Sequence, residues 1–332
     1  MATIYSEADI DPGIVQGRTV AVIGYGNQGR AQALNLRDSG VAVRVGQRTG
    51  GPGWDSSTAD GLAPVTIADA AELGEIVMLT LPDESMADIY EEHVAPAMKP
   101  GKTLLVCHGY ALHFGFLKPR GDMDVALAAP KGSGATLRKE VSEGRSLTGL
   151  VAVHQDATGS AQATALSYLS AIGCGTTVIG TTVEEECVTD LFGEQAVLCG
   201  GIPELIKAAY EVLVEAGYSP ESAYIECLHE AKLITDLLYE RGLSGMREAI
   251  SDTAEWGGYQ AGTLLIDETV RERMRAVLQE IRSGRFAAGW NEESGSGKKE
   301  LLRLRDEESK HAVEDVGRKL RKLMPDVDDP GR

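Results

Sequence analysis

The chain has 332 residues, enough for two domains with separate cores, and its 43% hydrophobic content is that of a globular protein with no apolar run of membrane-spanning length. Fifty acidic against 32 basic residues leave a formal charge of −18, which argues against a surface for nucleic acid or anionic membrane. The opening MATIYSEADI lacks a charged-then-apolar signal, and Cys107, Cys174, Cys187, Cys199 and Cys227 lie in apolar segments without a CxxC; the expectation is a cytoplasmic protein with buried, reduced thiols.

The first element is a short β-branched run, TVAVIG at Thr19–Gly24, suited to a buried parallel strand. Gly24-Tyr25-Gly26-Asn27-Gln28-Gly29 follows as G-x-G-x-x-G, then a helical stretch to Gly40 and a second strand, VAVRVG at Val41–Gly46. Strand, glycine turn, helix and strand together are the setting of a dinucleotide fingerprint. The glycines allow a tight turn and close approach to a pyrophosphate, and the helix N-terminus offers free N–H groups. An NAD site usually ends its second strand in an acid; here Gly46-Gln47-Arg48 stands, and Arg48 suits a 2′-phosphate. A flexible, donor-poor loop, Thr49-Gly50-Gly51-Pro52-Gly53, is expected next, with Ser56 and Ser57 close by.

Further strands are predicted at IVMLTL, TLLVCHG, VALAAP, LTGLVAVH and GTTVIGTT. Alternating strand and helix make the fold class α/β, a Rossmann-like doubly wound, largely parallel sheet over residues 1–182. Loops at Leu81-Pro82-Asp83, His108-Gly109-Tyr110 and Pro130-Lys131-Gly132 then line the cofactor crevice. From Val183 the pattern becomes helical, defining an all-α C-terminal domain over 183–328, with a flexible break at Ser294–Gly297 before a last amphipathic helix.

Two carboxylate pairs lie in the helical part, Asp190 with Glu194 and Glu226 with Glu230. Each is spaced i, i+4, so both members share one helix face and continue an apolar stripe. A buried carboxylate is costly unless paired or bound to a cation, and the first helix has no Lys or Arg in adjacent turns. Four acids of this kind suit a hard cation, Mg²⁺ above all; amphipathic helices with acids at the stripe's edge are the plainer alternative.

GYGNQG, LPDE at Leu81–Glu84, HGYALHFG at His108–Gly115, APKGSG at Ala129–Gly134, AVHQDATG at Ala152–Gly159, TDLFGEQAVLCGG, ECLHE and ISDTAEWG at Ile250–Gly257 resemble class I, short-form ketol-acid reductoisomerases over nearly the whole chain. The resemblance implies a Rossmann domain joined to a knotted helical domain, NADPH, two Mg²⁺ ions, and an intertwined homodimer able to assemble further. It implies metal ligation by Asp190, Glu194, Glu226 and Glu230, the last two reaching in from a partner subunit. Ser251 would bind the substrate carboxylate, and His108, Lys131 and Glu230 would serve catalysis. Cofactor contacts would come from Gly24, Tyr25, Gly26, Asn27, Gln28, Gly29, Arg48, Leu81, Pro82, His108 and Gly134. On their own residues, Ser251 reads as a helix N-cap, His108 as a capped loop histidine and Lys131 as a surface lysine.

The implied reaction is alkyl migration in 2-acetolactate or 2-aceto-2-hydroxybutyrate and reduction to a 2,3-dihydroxy acid, in valine and isoleucine biosynthesis. Relatives usually read GYGSQGHAHALNL, where this chain has Asn27, Arg30 and Gln32, and carry serines where Gly51 and Gly53 stand. The expectation is a preference for NADPH, smaller than that of serine-bearing relatives. A paralogue for a related 2-hydroxy-3-keto acid, a metal-independent NADP-dependent hydroxy-acid dehydrogenase and a non-catalytic nucleotide sensor are the alternatives.

Overall fold

The computed structural model describes residues 2–324, so positions 325–328 of the expected helical domain lie outside the described residues. Nine strands form one sheet: β1 (Ile4–Tyr5), β2 (Thr19–Ile23), β3 (Ala42–Gly46), β4 (Pro64–Val65), β5 (Ile76–Leu79), β6 (Thr103–Val106), β7 (Asp124–Pro130), β8 (Gly149–Gln155) and β9 (Val178–Gly180). Their order is β1-β9-β8-β7-β6-β5-β2-β3-β4. All neighbours are parallel except β7 with β8 and β1 with β9. The chain builds outward from β2 through β3 and β4, then returns to β5 on the other side. That reversal between β2 and β5 opens a crevice at the carboxyl ends of the strands, where α/β sheets bind ligands.

Alternate residues of each central strand feed opposite layers. Val20, Val22, Met78, Leu105 and Ala126 pack with Ala31, Leu36 and Leu169 on one face. Ala21, Ile23, Val77, Leu79, Leu104 and Val125 pack with Ala70, Met86 and Tyr90 on the other. Burial on both faces explains why these strands read as continuous apolar runs, each such side chain contributing roughly 1.5–3 kcal/mol relative to exposure. The two edge strands β1 and β4, of two residues each, went unseen in the sequence because so short a run carries no periodicity.

By internal contacts the chain divides between Thr189 and Asp190. The second unit is helical, with helices at Gly201–Glu215, Glu230–Glu248, Asp252–Leu265, Glu268–Arg282, Arg285–Gly295, Lys299–Ser309 and Ala312–Arg321. Gly242, at φ +70°, kinks the Glu230–Glu248 helix. The chain breaks at Gly297 and Lys298, both at positive φ, and two helices follow, one more than expected. A small core of Tyr210, Ala223, Tyr224, Val313 and Val316 holds part of this unit. Much of its apolar surface remains open: Tyr239 is 90%, Leu264 77% and Leu243 76% exposed. Among the thiols only Cys174 and Cys187 are buried; Cys199 is exposed and Cys107 and Cys227 are half-buried, because their stretches of apolar sequence are not all covered.

Candidate active site

The glycine turn follows β2, and each glycine has its own steric reason. Gly24 is at φ +104°, and a Cβ there would lie 2.7 Å from the Thr80 carbonyl oxygen. A Cβ on Gly29 would lie 2.2 Å from the Gly24 carbonyl oxygen, so only glycine lets the helix pack this close to the strand. Gly26 meets nothing within 4 Å, leaving its backbone open to a ligand. It caps the helix Asn27–Asp38, which begins at the second half of the motif. Tyr25 is largely buried: its hydroxyl donates to Asp60, which also accepts two bonds from Arg30.

The loop at Ala129–Ala135 docks against this turn. A Cβ on Gly134 would lie 2.0 Å from the Asn27 carbonyl oxygen, Asn27 Oδ1 accepts the Ala135 N–H at 3.1 Å, and Gln28 Nε2 donates to the Gly132 carbonyl at 2.8 Å. Asn27, Gln28 and Gly134 are thus gathered around one point. Leu81 is half-buried after β5, and Pro82 is exposed at the start of the Asp83–Ile89 helix.

Beyond β3, Arg48 is exposed and its carbonyl accepts the Gly51 N–H. The expected flexible loop is shorter than read. Pro52 starts a helix, Pro52–Ala59, because its fixed φ and missing N–H suit a first helical position. Ser57 is buried and donates to the Trp54 carbonyl, whereas Ser56 is exposed and lines a pocket with Tyr25, Gly26, Asn27 and Arg30.

His108 and Lys131, distant in sequence, meet through an acid that the sequence reading passed over. Glu186, on the helix Val183–Gly193, is 1% exposed. Its Oε1 lies 3.2 Å from Lys131 Nζ, and its Oε2 lies 3.3 Å from His108 Nδ1 and accepts the Gly109 N–H at 2.8 Å. Burial alone would raise the Glu186 carboxyl. The His108 contact, the Lys131 charge and the Gly109 N–H outweigh it, so the carboxyl is held below its ordinary value. A Cβ on Gly109 would lie 2.8 Å from the Val183 carbonyl oxygen, so glycine permits this approach. The available signal was spacing: Glu186, Asp190 and Glu194 fall at i, i+4 and i+8.

Asp190 and Glu194 are half-buried, while Glu226 and Glu230 are exposed, less buried than their stripe suggested. The stripe itself is uncovered, since Leu233 is 51% exposed one turn from Glu230. An i→i+5 turn that spacing could not reveal starts at Glu194, just after the first pair, and another runs from Ile225 to Glu230 across the second. The Cys199 N–H donates to the Glu194 carbonyl, and the Glu230 N–H to that of Ile225. Such turns recur at functional sites. Among the described residues, no three of Asp190, Glu194, Glu226 and Glu230 bring ligand atoms within 4.8 Å of one another. Ser251 caps the helix Asp252–Leu265 by accepting the Ala254 N–H at 3.2 Å.

A doubly wound sheet with a glycine turn at its switch point, followed by a helical unit, defines a dinucleotide-binding protein. Residues 14–178 match the family described as acetohydroxy acid isomeroreductase, NADPH-binding domain, and residues 183–326 match ketol-acid reductoisomerase, C-terminal domain. An NADH-preferring ketol-acid reductoisomerase from an uncultured archean is 42% identical, with TM-score 0.95 over 97% of this chain and 99% of that one. The chain belongs to the ketol-acid reductoisomerase family. It is an oxidoreductase of branched-chain amino-acid biosynthesis that uses a nicotinamide cofactor. A semialdehyde dehydrogenase NAD-binding protein from Cupriavidus necator (18% identical, TM-score 0.62, 80% of this chain and 99% of that one) shares the fold alone. So does a pyrroline-5-carboxylate reductase from Coxiella burnetii (15%, 0.58, 80% and 97%). No helix among the described residues is long and apolar enough to cross a membrane.

Proposed function

We propose that this enzyme converts 2-acetolactate or 2-aceto-2-hydroxybutyrate with two Mg²⁺ ions held by Asp190, Glu194, and Glu226 and Glu230 of the partner subunit. The donor set fits: four carboxylates give the hard oxygen ligands that Mg²⁺ takes. Two observations favour a site completed by a second copy. The carboxylates do not converge within one chain among the described residues, and the helix face carrying Glu230 is apolar and uncovered around Leu233 and Ile234.

Bound Mg²⁺ supplies Lewis-acid polarisation of the ketone and stabilises the alkoxide of the 2-hydroxyl. In the reaction the 2-hydroxyl loses its proton, and the methyl or ethyl group moves with its bonding electrons from C2 to C3. C2 becomes the carbonyl, and the former ketone oxygen takes a proton. Hydride from the nicotinamide then adds to C2, and a second proton completes the 2,3-dihydroxy acid. Lys131, fixed by Glu186, presents its ammonium as a positive charge and proton donor to the reacting oxygens. His108 would stand beside the nicotinamide, and Glu230 would help hold the Mg²⁺ ions and assist catalysis. The Ser251 hydroxyl still has an O–H to donate to the substrate carboxylate. NADPH and NADH both serve, with NADPH favoured only by what Arg48 contributes.

The observation that carries this reading is the Lys131–Glu186–His108 cluster beyond the carboxyl ends of β6 and β7, in a chain of this family. Asp190→Asn should abolish acetolactate turnover, leave cofactor binding intact, and spare part of the reduction of pre-formed 3-hydroxy-3-methyl-2-oxobutyrate. Near-normal acetolactate turnover by this variant, or by the wild type in excess chelator, would overturn the reading.

A further inference from the structure

A chain of hydrogen bonds runs from the sheet's packing layer, where it is buried, outward to the exposed loop that carries Lys131. Tyr168, fully buried on the helix Ala161–Ala171, donates its hydroxyl to Gln32 Oε1 at 2.7 Å. Gln32, also fully buried, donates Nε2 to Gln28 Oε1 at 3.1 Å, and Gln28 donates Nε2 to the Gly132 carbonyl at 2.8 Å. Gly132 directly follows Lys131. The phenol is the end that sets the direction. Burial raises it well above its ordinary value, so it stays protonated and can donate. Its O–H fixes which way the Gln32 amide faces, and that in turn fixes Gln28. A leucine would fill the Gln32 position without the cost of burying an amide, so a polar side chain there asks for a reason.

Resting on the reading of Lys131 given above, we propose that Gln32 is a positioning residue. Through Gln28 it sets the Gly132 carbonyl, and with it Lys131, from the same turn that cradles the dinucleotide. The Asn27–Ala135 bond and the close approach at Gly134 brace the same junction, so the placement of cofactor and of Lys131 derives from one rigid piece. A neutral imidazole also offers one acceptor and one donor, the pair that the relay uses.

Three variants of the full-length enzyme test this. Gln32→Leu keeps apolar packing and breaks the relay, Tyr168→Phe removes its first donor, and Gln32→His restores an acceptor and a donor. With Gln32→Leu, kcat should fall about five- to fiftyfold while the KM and Kd of the nicotinamide cofactor move less than about threefold. Amide hydrogen exchange over residues 131–135 should quicken at least about fivefold, with β5 and β6 unchanged. Tyr168→Phe should shift the same readouts in the same direction, and it decides the matter if Gln32→Leu does not fold. Gln32→His should return kcat to within about threefold of wild type. A kcat within about twofold of wild type in the relay-breaking variants would overturn the proposal, as would exchange that rises across the whole sheet with no recovery in Gln32→His. Lys131→Met separates the two readings. Full turnover there defeats the role given to Lys131, whereas its loss beside a normal Gln32→Leu defeats the relay alone.

Discussion

Glu186 holds a lysine, a histidine and a backbone N–H at once, and nothing in its immediate sequence announces this. It closes the run Glu184-Glu185-Glu186, which reads as an acidic first turn favoured by the helix dipole. Its i, i+4 spacing to Asp190 sets it apart from its neighbours, and the fold, by bringing His108 and Lys131 from two strand ends, gives it its partners. Glu186→Gln keeps the shape and removes the charge that anchors Lys131. Its kcat should drop at least about 100-fold with cofactor affinity unchanged, by steady-state kinetics and fluorescence titration. A kcat within about threefold of wild type would mean that Lys131 needs no such anchor. Asp60 gives a second test at this scale. The Arg30 guanidinium, with Tyr25 behind it, pushes the Asp60 carboxyl down to about 2. A carboxyl lower in the folded than in the unfolded state stabilises fully above the unfolded value of about 4, and that stability is lost as pH falls from about 4 towards 2. Urea midpoints at pH 5 and pH 3 should therefore fall further apart in the wild type than in Asp60→Asn. An equal fall in both would show that the pair adds nothing.

At the scale of elements, the first βαβ unit was legible because three signals coincide: a β-branched run, a G-x-G-x-x-G and a helix closing at a glycine. The antiparallel placement of β8 against β7 was not legible, since buried strands of either direction give the same apolar run. The i→i+5 turns at both acid pairs escaped for a related reason, because an i, i+4 spacing is read on the assumption of regular helix. The junction between the fingerprint turn and the Gly132–Ala135 loop yields a sharp expectation. Gly134→Ala pushes a methyl into the Asn27 carbonyl, and overpacking of this kind costs roughly 1–3 kcal/mol. Denaturant unfolding should register that loss, together with weaker cofactor binding; unchanged values for both would mean the loop yields freely. Beyond β3, Arg48 stands beside Gly51 and Gly53, which offer no hydroxyl. The kcat/KM ratio for NADPH over NADH should be modest, and Arg48→Ala should remove most of it, since one charge-assisted bond contributes about 1.5–3 kcal/mol. A wild-type preference for NADH would show that Arg48 does not meet a phosphate.

For the whole molecule, the helical unit leaves large apolar side chains open, with Tyr239, Leu243 and Leu264 among its most exposed residues. The sequence pattern marked an apolar stripe running on from Glu226 and Glu230 but could not say that Leu233 on it is left open. If Glu226 and Glu230 serve the partner subunit's site, Asp190→Asn and Glu226→Gln chains are each inactive as homodimers. A purified hybrid of the two then has one site with both lesions and one with neither, and should recover up to about half of wild-type activity. Hybrids without recovery would place all four carboxylates of a site in one chain.

The central claim is a metal-dependent migration followed by hydride transfer, and one assay addresses it directly. The purified enzyme is given 2-acetolactate and NADPH, with and without Mg²⁺, and both cofactor oxidation and product are followed. Oxidation should require Mg²⁺ and should match, mole for mole, the 2,3-dihydroxy-3-methylbutanoate formed. No oxidation with Mg²⁺ present, or equal oxidation in excess chelator, would contradict the account.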